Sequence, residues 1–162
     1  MARFGNVKAA ALVALAFAAA CTPGGIPAAT GGGGGGGGRN AVTTIDVNLT
    51  QHAPVQTPAG TSGGYAPPIA MVAVGSTIRF HNSDGFAHTA TLIPGATTFP
   101  PGSPFSVTAQ TQSGTNLSNS WSSGTLQPGS TSQTLLVDKA GTYLFGCFFH
   151  YGSPMRATIV AQ

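Results

Sequence analysis

The sequence predicts an all-β fold, a single antiparallel sandwich of about seven to eight short strands. Three observations carry this. From residue 41 onward, short runs of β-branched and aromatic residues are broken by Gly, Pro, Asn and Ser, with no helical periodicity of useful length. Thr43, Ile45, Val47 and Leu49 alternate with Thr44, Asp46, Asn48 and Thr50, the period-two signature of a strand with one buried face. The stretch 41–162 has room for one hydrophobic core and not for two.

After that first strand the candidates, in order, are Ile69–Val74, Thr77–His81, Thr89–Ile93, Phe105–Thr108, Thr134–Val137, Thr142–Cys147 and Arg156–Ala161. The Ser/Thr/Gly/Pro-rich stretch from Pro94 to Gly129 reads as a surface excursion with one short strand, and Trp121 within it as a packing anchor. On the strand Thr142–Cys147, alternation puts Tyr143, Phe145 and Cys147 on the core face and Leu144 and Gly146 on the other. Gly152, Ser153 and Pro154 then supply a turn, and Met155 opens the next strand beside the end of the previous one. His81, opposite in facing to Phe80, is expected at the surface, and His52 and Met71 stand alone.

The N-terminal part has a different texture. Arg3 and Lys8 precede an apolar run from Ala9 to Ala20, the pattern of a secretory signal over 1–20. The run is well short of the roughly 20 residues that a spanning helix needs. Ala18-Ala19-Ala20-Cys21 resembles a bacterial lipobox, with Ala18 where leucine is usual, and predicts lipidation of Cys21. Ordinary signal peptidase would accept the same small residues and leave Cys21 free or disulfide-bonded. Residues 21–40, with eight consecutive glycines, read as a flexible linker. A tether of that length has a typical span of about 25 Å. Residues 41–162 form the folded domain.

Removal of residues 1–20 leaves four cations (Arg39, Arg79, Lys139, Arg156) against three carboxylates (Asp46, Asp84, Asp138), so the net charge falls from +3 to +1. Nothing in this balance offers the clustered basic face that nucleic acid requires, and long-range steering of partners is expected to be weak. An exported chain with two cysteines suggests one disulfide by default. Cys21 before the tether and Cys147 among the last strands each have a separate explanation.

The stretch Gly146–Met155, GCFFHYGSPM, brings a thiol, an imidazole and a thioether into one tight loop. Thiolate and thioether suit Cu(I), and imidazole suits both oxidation states of copper. A second imidazole completes a four-ligand set, and His88, where a Gly85-Phe86 turn leads into the strand at Thr89, is the natural donor. The segments IRFHNSDGFAHTATL and GTYLFGCFFHYGSPMRATIV together resemble the plastocyanin family of cupredoxins, whose pattern is a lone upstream His followed by C-x2-H-x4-M. Cys147 to His150 and His150 to Met155 match both spacings, and the resemblance covers about forty residues directly.

This resemblance implies a Greek-key cupredoxin-like sandwich that holds one copper ion, cycling Cu(I)/Cu(II), on His88, Cys147, His150 and Met155. It implies a one-electron carrier and not an enzyme, since the four ligands leave no open coordination position. The expected partners are a redox-protein donor and acceptor, such as a cytochrome, an oxidase or another membrane electron-transfer complex. The chain is expected to act as a monomer on the periplasmic or extracellular side, anchored through the Cys21 lipid.

Two departures from the family bear on mechanism. The residue after the first ligand is commonly Asn, which ties the two ligand-bearing segments together, and here it is Thr89. Gly146 stands where plant and algal plastocyanins carry a surface tyrosine, so electrons are expected to leave through His150 inside an apolar collar of Phe86, Phe148, Phe149, Tyr151 and Pro154. The alternative function is a copper storage or delivery module, which favours repeated, exposed Met or His motifs. A Cys147–His150 nucleophile lacks a third orienting residue and an oxyanion feature, a zinc site leaves the Met155 thioether unexplained, and a structural adhesion sandwich leaves all four donors unexplained.

Overall fold

The computed structural model describes residues 42–162. The signal pattern, the glycine-rich linker and Cys21 lie outside the described residues. Twelve short strands are found among the described residues: β1 Val42–Val47, β2 Val55–Thr57, β3 Gly60–Ser62, β4 Tyr65–Ala66, β5 Ile69–Val72, β6 Thr77–Asn82, β7 Thr91–Ile93, β8 Gln112–Ser113, β9 Ser122–Ser123, β10 Leu135–Leu136, β11 Gly141–Gly146 and β12 Arg156–Ala161. No helix among the described residues is long and apolar enough to cross a membrane.

The strands form two main sheets, ordered β10-β6-β1-β4 and β5-β12-β11-β7-β9-β8, with β2 and β3 as a separate hairpin. The all-β reading holds, but the sandwich is mixed rather than purely antiparallel, because β1 pairs parallel with β6 and β12 parallel with β5. Both parallel partners are distant in sequence or joined by a long excursion, which alternation along a single strand cannot reveal. β11 and β12 form a regular antiparallel ladder from Gly141↔Ala161 to Gly146↔Arg156.

Between the main sheets lies the larger core, in which Ile45, Val47, Ile78 and Phe80 of the first sheet meet Phe145, Ala157 and Ile159 of the second. Phe80 is its centre, with ring centroids 5.5 Å from Trp121 and 5.4 Å from Phe145. Trp121 is therefore the packing anchor expected. A second cluster of Ala59, Ile93, Phe99, Leu144 and Tyr151 covers the opposite face of β11. That strand is thus buried on both faces at its Cys147 end, which makes it a rigid support.

Several elements differ from expectation. Phe105–Thr108 is not a strand: a 3₁₀ turn spans Val107–Gln110, in a segment whose Val107 is exposed and whose Ala109 alone is buried. The stretch 94–129 carries two short strands, β8 and β9, and sends Leu117, Trp121 and Leu126 into the main core, so it is more than a surface excursion. β7 begins at Thr91 instead of Thr89, because the backbone of His88 bridges Leu126 first. His81 is half-buried, bonded through Nδ1 to the Thr131 hydroxyl at 3.0 Å.

Candidate metal centre

His88 lies on the connection from β6 to β7, and its place there is set by the fully buried Asn82 at the end of β6. The Asn82 Nδ2 donates to the carbonyls of Phe86 and Leu126, both at 2.9 Å, and its Oδ1 accepts from the Asp84 N–H at 3.0 Å. The turn 83–87 is thereby folded around one amide side chain. The His88 backbone then exchanges two hydrogen bonds with Leu126, at 3.0 and 2.8 Å. With main chain fixed on both sides, the imidazole is fully buried.

Cys147 follows β11 and points into the main core, as alternation requires. Its N–H donates to the Met155 carbonyl at 3.0 Å, while the N–H groups of Ser153 and Met155 donate to the His150 carbonyl at 3.0 and 3.3 Å. The loop 148–155 is thus closed on itself at both levels. Cys147 is a free, buried thiol.

These elements bring three donors together. The Nδ1 atoms of His88 and His150 are 3.1 Å apart, and the Cys147 Sγ lies 3.8 Å from the first and 3.7 Å from the second. All three ligand atoms fall within 4.8 Å of one another. Met155 is fully buried in the same core cluster as Cys147. Its side chain lies against Gly64, where φ is +72° and an added Cβ would stand 2.6 Å from Met155 Cγ. Gly64 is therefore needed twice, for its left-handed backbone and for the space that Met155 fills.

Thr89 ties the two ligand-bearing segments together in two ways. Its N–H points at the Cys147 Sγ at 3.4 Å, and its hydroxyl accepts from the Phe148 N–H at 2.8 Å. A threonine hydroxyl thus bridges to the Cys147 loop from the position where an asparagine was the family expectation. From the core side, the buried Tyr65 hydroxyl donates to the Thr89 carbonyl at 2.6 Å.

Burial pushes the Cys147 thiol up, opposed by N–H groups of Thr89, His150 and Phe149 and by the Thr89 hydroxyl. A metal that binds there must displace the thiol proton. Burial pushes His150 down, His88 adds to this and Asp84 opposes it, so the imidazole favours its neutral, ligand-competent form. Two imidazoles, a shielded thiol and a buried thioether are a soft donor set that fits copper better than any hard cation.

The surface beside the site is apolar in part. Phe86 and Phe149 are 42 % and 40 % exposed, with ring centroids 5.3 and 6.2 Å from that of His150. Phe148, stacked edge-on with Phe149 at 5.2 Å, and Pro154 are half-buried. Tyr151 does not belong to this collar. It is 2 % exposed, with its hydroxyl on the Pro100 carbonyl at 2.9 Å and the Arg156 guanidinium 4.0 Å above its ring. This side chain packs on the opposite face of β11, in the second core cluster. Gly146 has the same cause: a Cβ there would sit 2.8 Å from the Tyr151 ring, so the glycine makes room for the tyrosine.

Sequence reasoning passed over Asp84, Gly64 and Tyr65. A carboxylate four residues before a ligand histidine, and a Gly63-Gly64 pair between two strands, are the signals that point to the first two.

No protein-family profile matches the chain, and no curated protein matches it. Among solved structures, the chain is similar to a purple cupredoxin from Nitrosopumilus maritimus, at 18% identity over 74% of this chain and 99% of that one, with a TM-score of 0.48. It is also similar to a mutant of amicyanin in the oxidised state, at 16% identity over 74% of this chain and 81% of that one, with a TM-score of 0.47. A second amicyanin mutant, in its reduced Cu(I) form at pH 4, is 16% identical over 76% of this chain and 84% of that one, with a TM-score of 0.48.

Proposed function

We propose that this chain is a one-electron carrier with a mononuclear type 1 copper centre held by His88, Cys147, His150 and Met155. The observation that carries this reading is the convergence of two imidazole Nδ1 atoms and one thiol within 4.8 Å at the rim of a rigid β core. A bound copper ion supplies the Cu(I)/Cu(II) couple and the thiolate charge-transfer transition.

The chain's own residues do the rest. The closed loop 148–155, the Asn82-ordered turn and the main core hold the donors in one arrangement, so little has to move when the charge changes. The Thr89 N–H stabilises the sulfur as it takes on charge. Full burial of His88, Cys147 and Met155 keeps the donor set from being supplemented by solvent on the core side. His150 is half-exposed between Phe86 and Phe149 and is the shortest way from the donor set to solvent.

On this reading the partners are redox proteins, a donor and an acceptor of the cytochrome or oxidase kind, that dock briefly on the Phe86–Phe149 patch. The chain works outside the cytoplasm, as a monomer, held near a membrane by a lipid on Cys21 and a glycine-rich tether. A storage or delivery module would be served better by exposed donors, whereas three of these four are fully buried.

Repeated reduction and reoxidation of the copper-loaded full chain separates the two. A carrier retains its copper over many cycles in the presence of a Cu(I) chelator and exchanges electrons rapidly between its own oxidised and reduced copies. Transfer of copper to the chelator on each reduction would overturn the carrier reading.

A further inference from the structure

Asp84 is a buried carboxylate in a chain with only three, and every hydrogen-bonding position around it is occupied. Its Oδ2 accepts from the Leu49 N–H at 2.8 Å and, more weakly, the Thr50 N–H at 3.4 Å, and lies 3.0 Å from His88 Nε2. Its Oδ1 accepts from the Thr50 hydroxyl at 2.7 Å and the Gly85 N–H at 2.8 Å. Three backbone N–H groups, a hydroxyl and an imidazole thus converge on the two oxygens, the surroundings that a buried carboxylate requires.

A carboxylate offers only acceptors. The imidazole nitrogen that faces it must carry the proton, so His88 Nε2 is the N–H and, in the neutral ring, Nδ1 is the bare nitrogen that faces Cys147 and His150. Both oxygens receive strong donors, so an amide, with one acceptor oxygen and one NH₂, cannot reproduce the arrangement: one side would set donor against donor. The donors on the far side come from the loop Asn48–His52, which is also bonded to the segment under Met155, through Asn48 N–H to the Gly64 carbonyl at 2.9 Å and Gly64 N–H to the His52 carbonyl at 2.8 Å.

We infer that Asp84 is a positioning residue of the metal centre: braced by the Leu49–Thr50 turn, it locks His88 in the Nε2–H tautomer with Nδ1 directed into the donor set. The role of the group that His88 would bind rests on the copper reading, but the lock itself belongs to the polypeptide. It is present whether or not a metal is bound, so His88 needs no tautomer change on loading. As an anionic partner it also makes Nδ1 a better donor to the higher oxidation state.

The test is the ¹⁵N signature of the His88 ring in the full chain, metal-free and Cu(I)-loaded, with Asp84→Asn, Thr50→Val and Thr50→Ser. Wild type is expected to show a protonated Nε2 and a bare Nδ1 in the metal-free chain. Asp84→Asn is expected to mix the tautomers and to lower Cu(II) affinity by about 10–100-fold. Thr50→Val moves both readouts the same way by less, and Thr50→Ser, which keeps the hydroxyl, restores them. A proton on Nδ1 in wild type, or tautomer and affinity unaltered in both Asp84→Asn and Thr50→Val, overturns the inference. If Asp84→Asn does not fold, the contrast of the two Thr50 variants decides alone. Should the chain bind no copper, the metal-free spectra still decide on Asp84, and only the copper reading falls.

Discussion

The two histidines of the donor set are held by opposite means. His88 is fully buried, its main chain is laddered to Leu126 and its Nε2 faces a carboxylate that four other donors hold in place. His150 is half-exposed on a tight loop, with Phe86 and Phe149 as its neighbours at the surface. One ring is part of the fold and the other is part of the surface. The proposed carrier role would use both, a fixed inner ligand that resists rearrangement and an outer one through which a partner reaches the centre.

Truncation of each ring separates these roles most sharply. His88→Ala leaves a cavity and a buried carboxylate short of a partner, and should destabilise the metal-free chain by about 2–4 kcal/mol. His150→Ala should cost less than about 1 kcal/mol, because the ring is only partly buried. Urea unfolding of the two metal-free variants checks this, and equal midpoints would abolish the contrast. Both variants should lose the blue Cu(II) spectrum.

Gly64→Ala comes next, since it disturbs the inner side without removal of any donor. A Cβ in a left-handed backbone and 2.6 Å from Met155 Cγ should cost about 1–3 kcal/mol and shift the Met155 side chain. The same denaturation experiment, with the Met155 methyl signal followed by NMR, reads both effects. An unaltered methyl signal would mean that Gly64 does not set the thioether's position.

On the outer side, Phe149→Glu places a charge on the apolar patch without contact with the core. Electron self-exchange between copies should slow by roughly tenfold as like charges meet, while the metal-free stability stays within about 0.5 kcal/mol. Line broadening in mixtures of oxidised and reduced chain measures it. An unchanged rate would move the point of electron exit away from His150.

The smallest effect expected is remote from both rings. Asp138 is half-buried and accepts from the Ser118 N–H at 2.9 Å and from the Ser118 hydroxyl. Slight burial raises its acid and these bonds outweigh it, so its folded-state value is lowered. A group lowered on folding stabilises fully above its unfolded value, about pH 3.9, and loses that contribution as pH falls through the folded value. Asp138→Asn should therefore cost a little stability at neutral pH, have no effect well below the folded value, and so flatten the acid limb of the stability profile in between. Thermal midpoints from pH 2 to 7 test this, and a loss confined to acid pH would contradict the sign.

The same contrast explains what the sequence made legible. The ladder of β11 and β12 and the grouping of Cys147, His150 and Met155 could be read from alternation and from C-x2-H-x4-M spacing, because both are local patterns, whereas His88, 59 residues before Cys147, was placed with them through the family resemblance. The Thr89 bridge to Phe148 was likewise expected from the resemblance and not from a local pattern. Tyr151 was misassigned because its direction goes with Phe99 in the second core cluster and with the Pro100 carbonyl, which lies 51 residues earlier in sequence. Asp84 was passed over because its meaning lies in Leu49 and Thr50, some 35 residues earlier. Parallel pairing of β1 with β6 and of β5 with β12 is likewise invisible to a period-two pattern. The inner half of the site is built from long-range contacts and the outer half from one loop, so the outer half was the easier to read.

The central claim, that these four side chains form a single copper centre, is tested most directly by titration of the metal-free full chain with Cu(II) under visible absorption and EPR. The account predicts an intense blue thiolate band that saturates at one copper per chain, and its complete loss in Cys147→Ala. No blue band, or a band that survives Cys147→Ala, would contradict it.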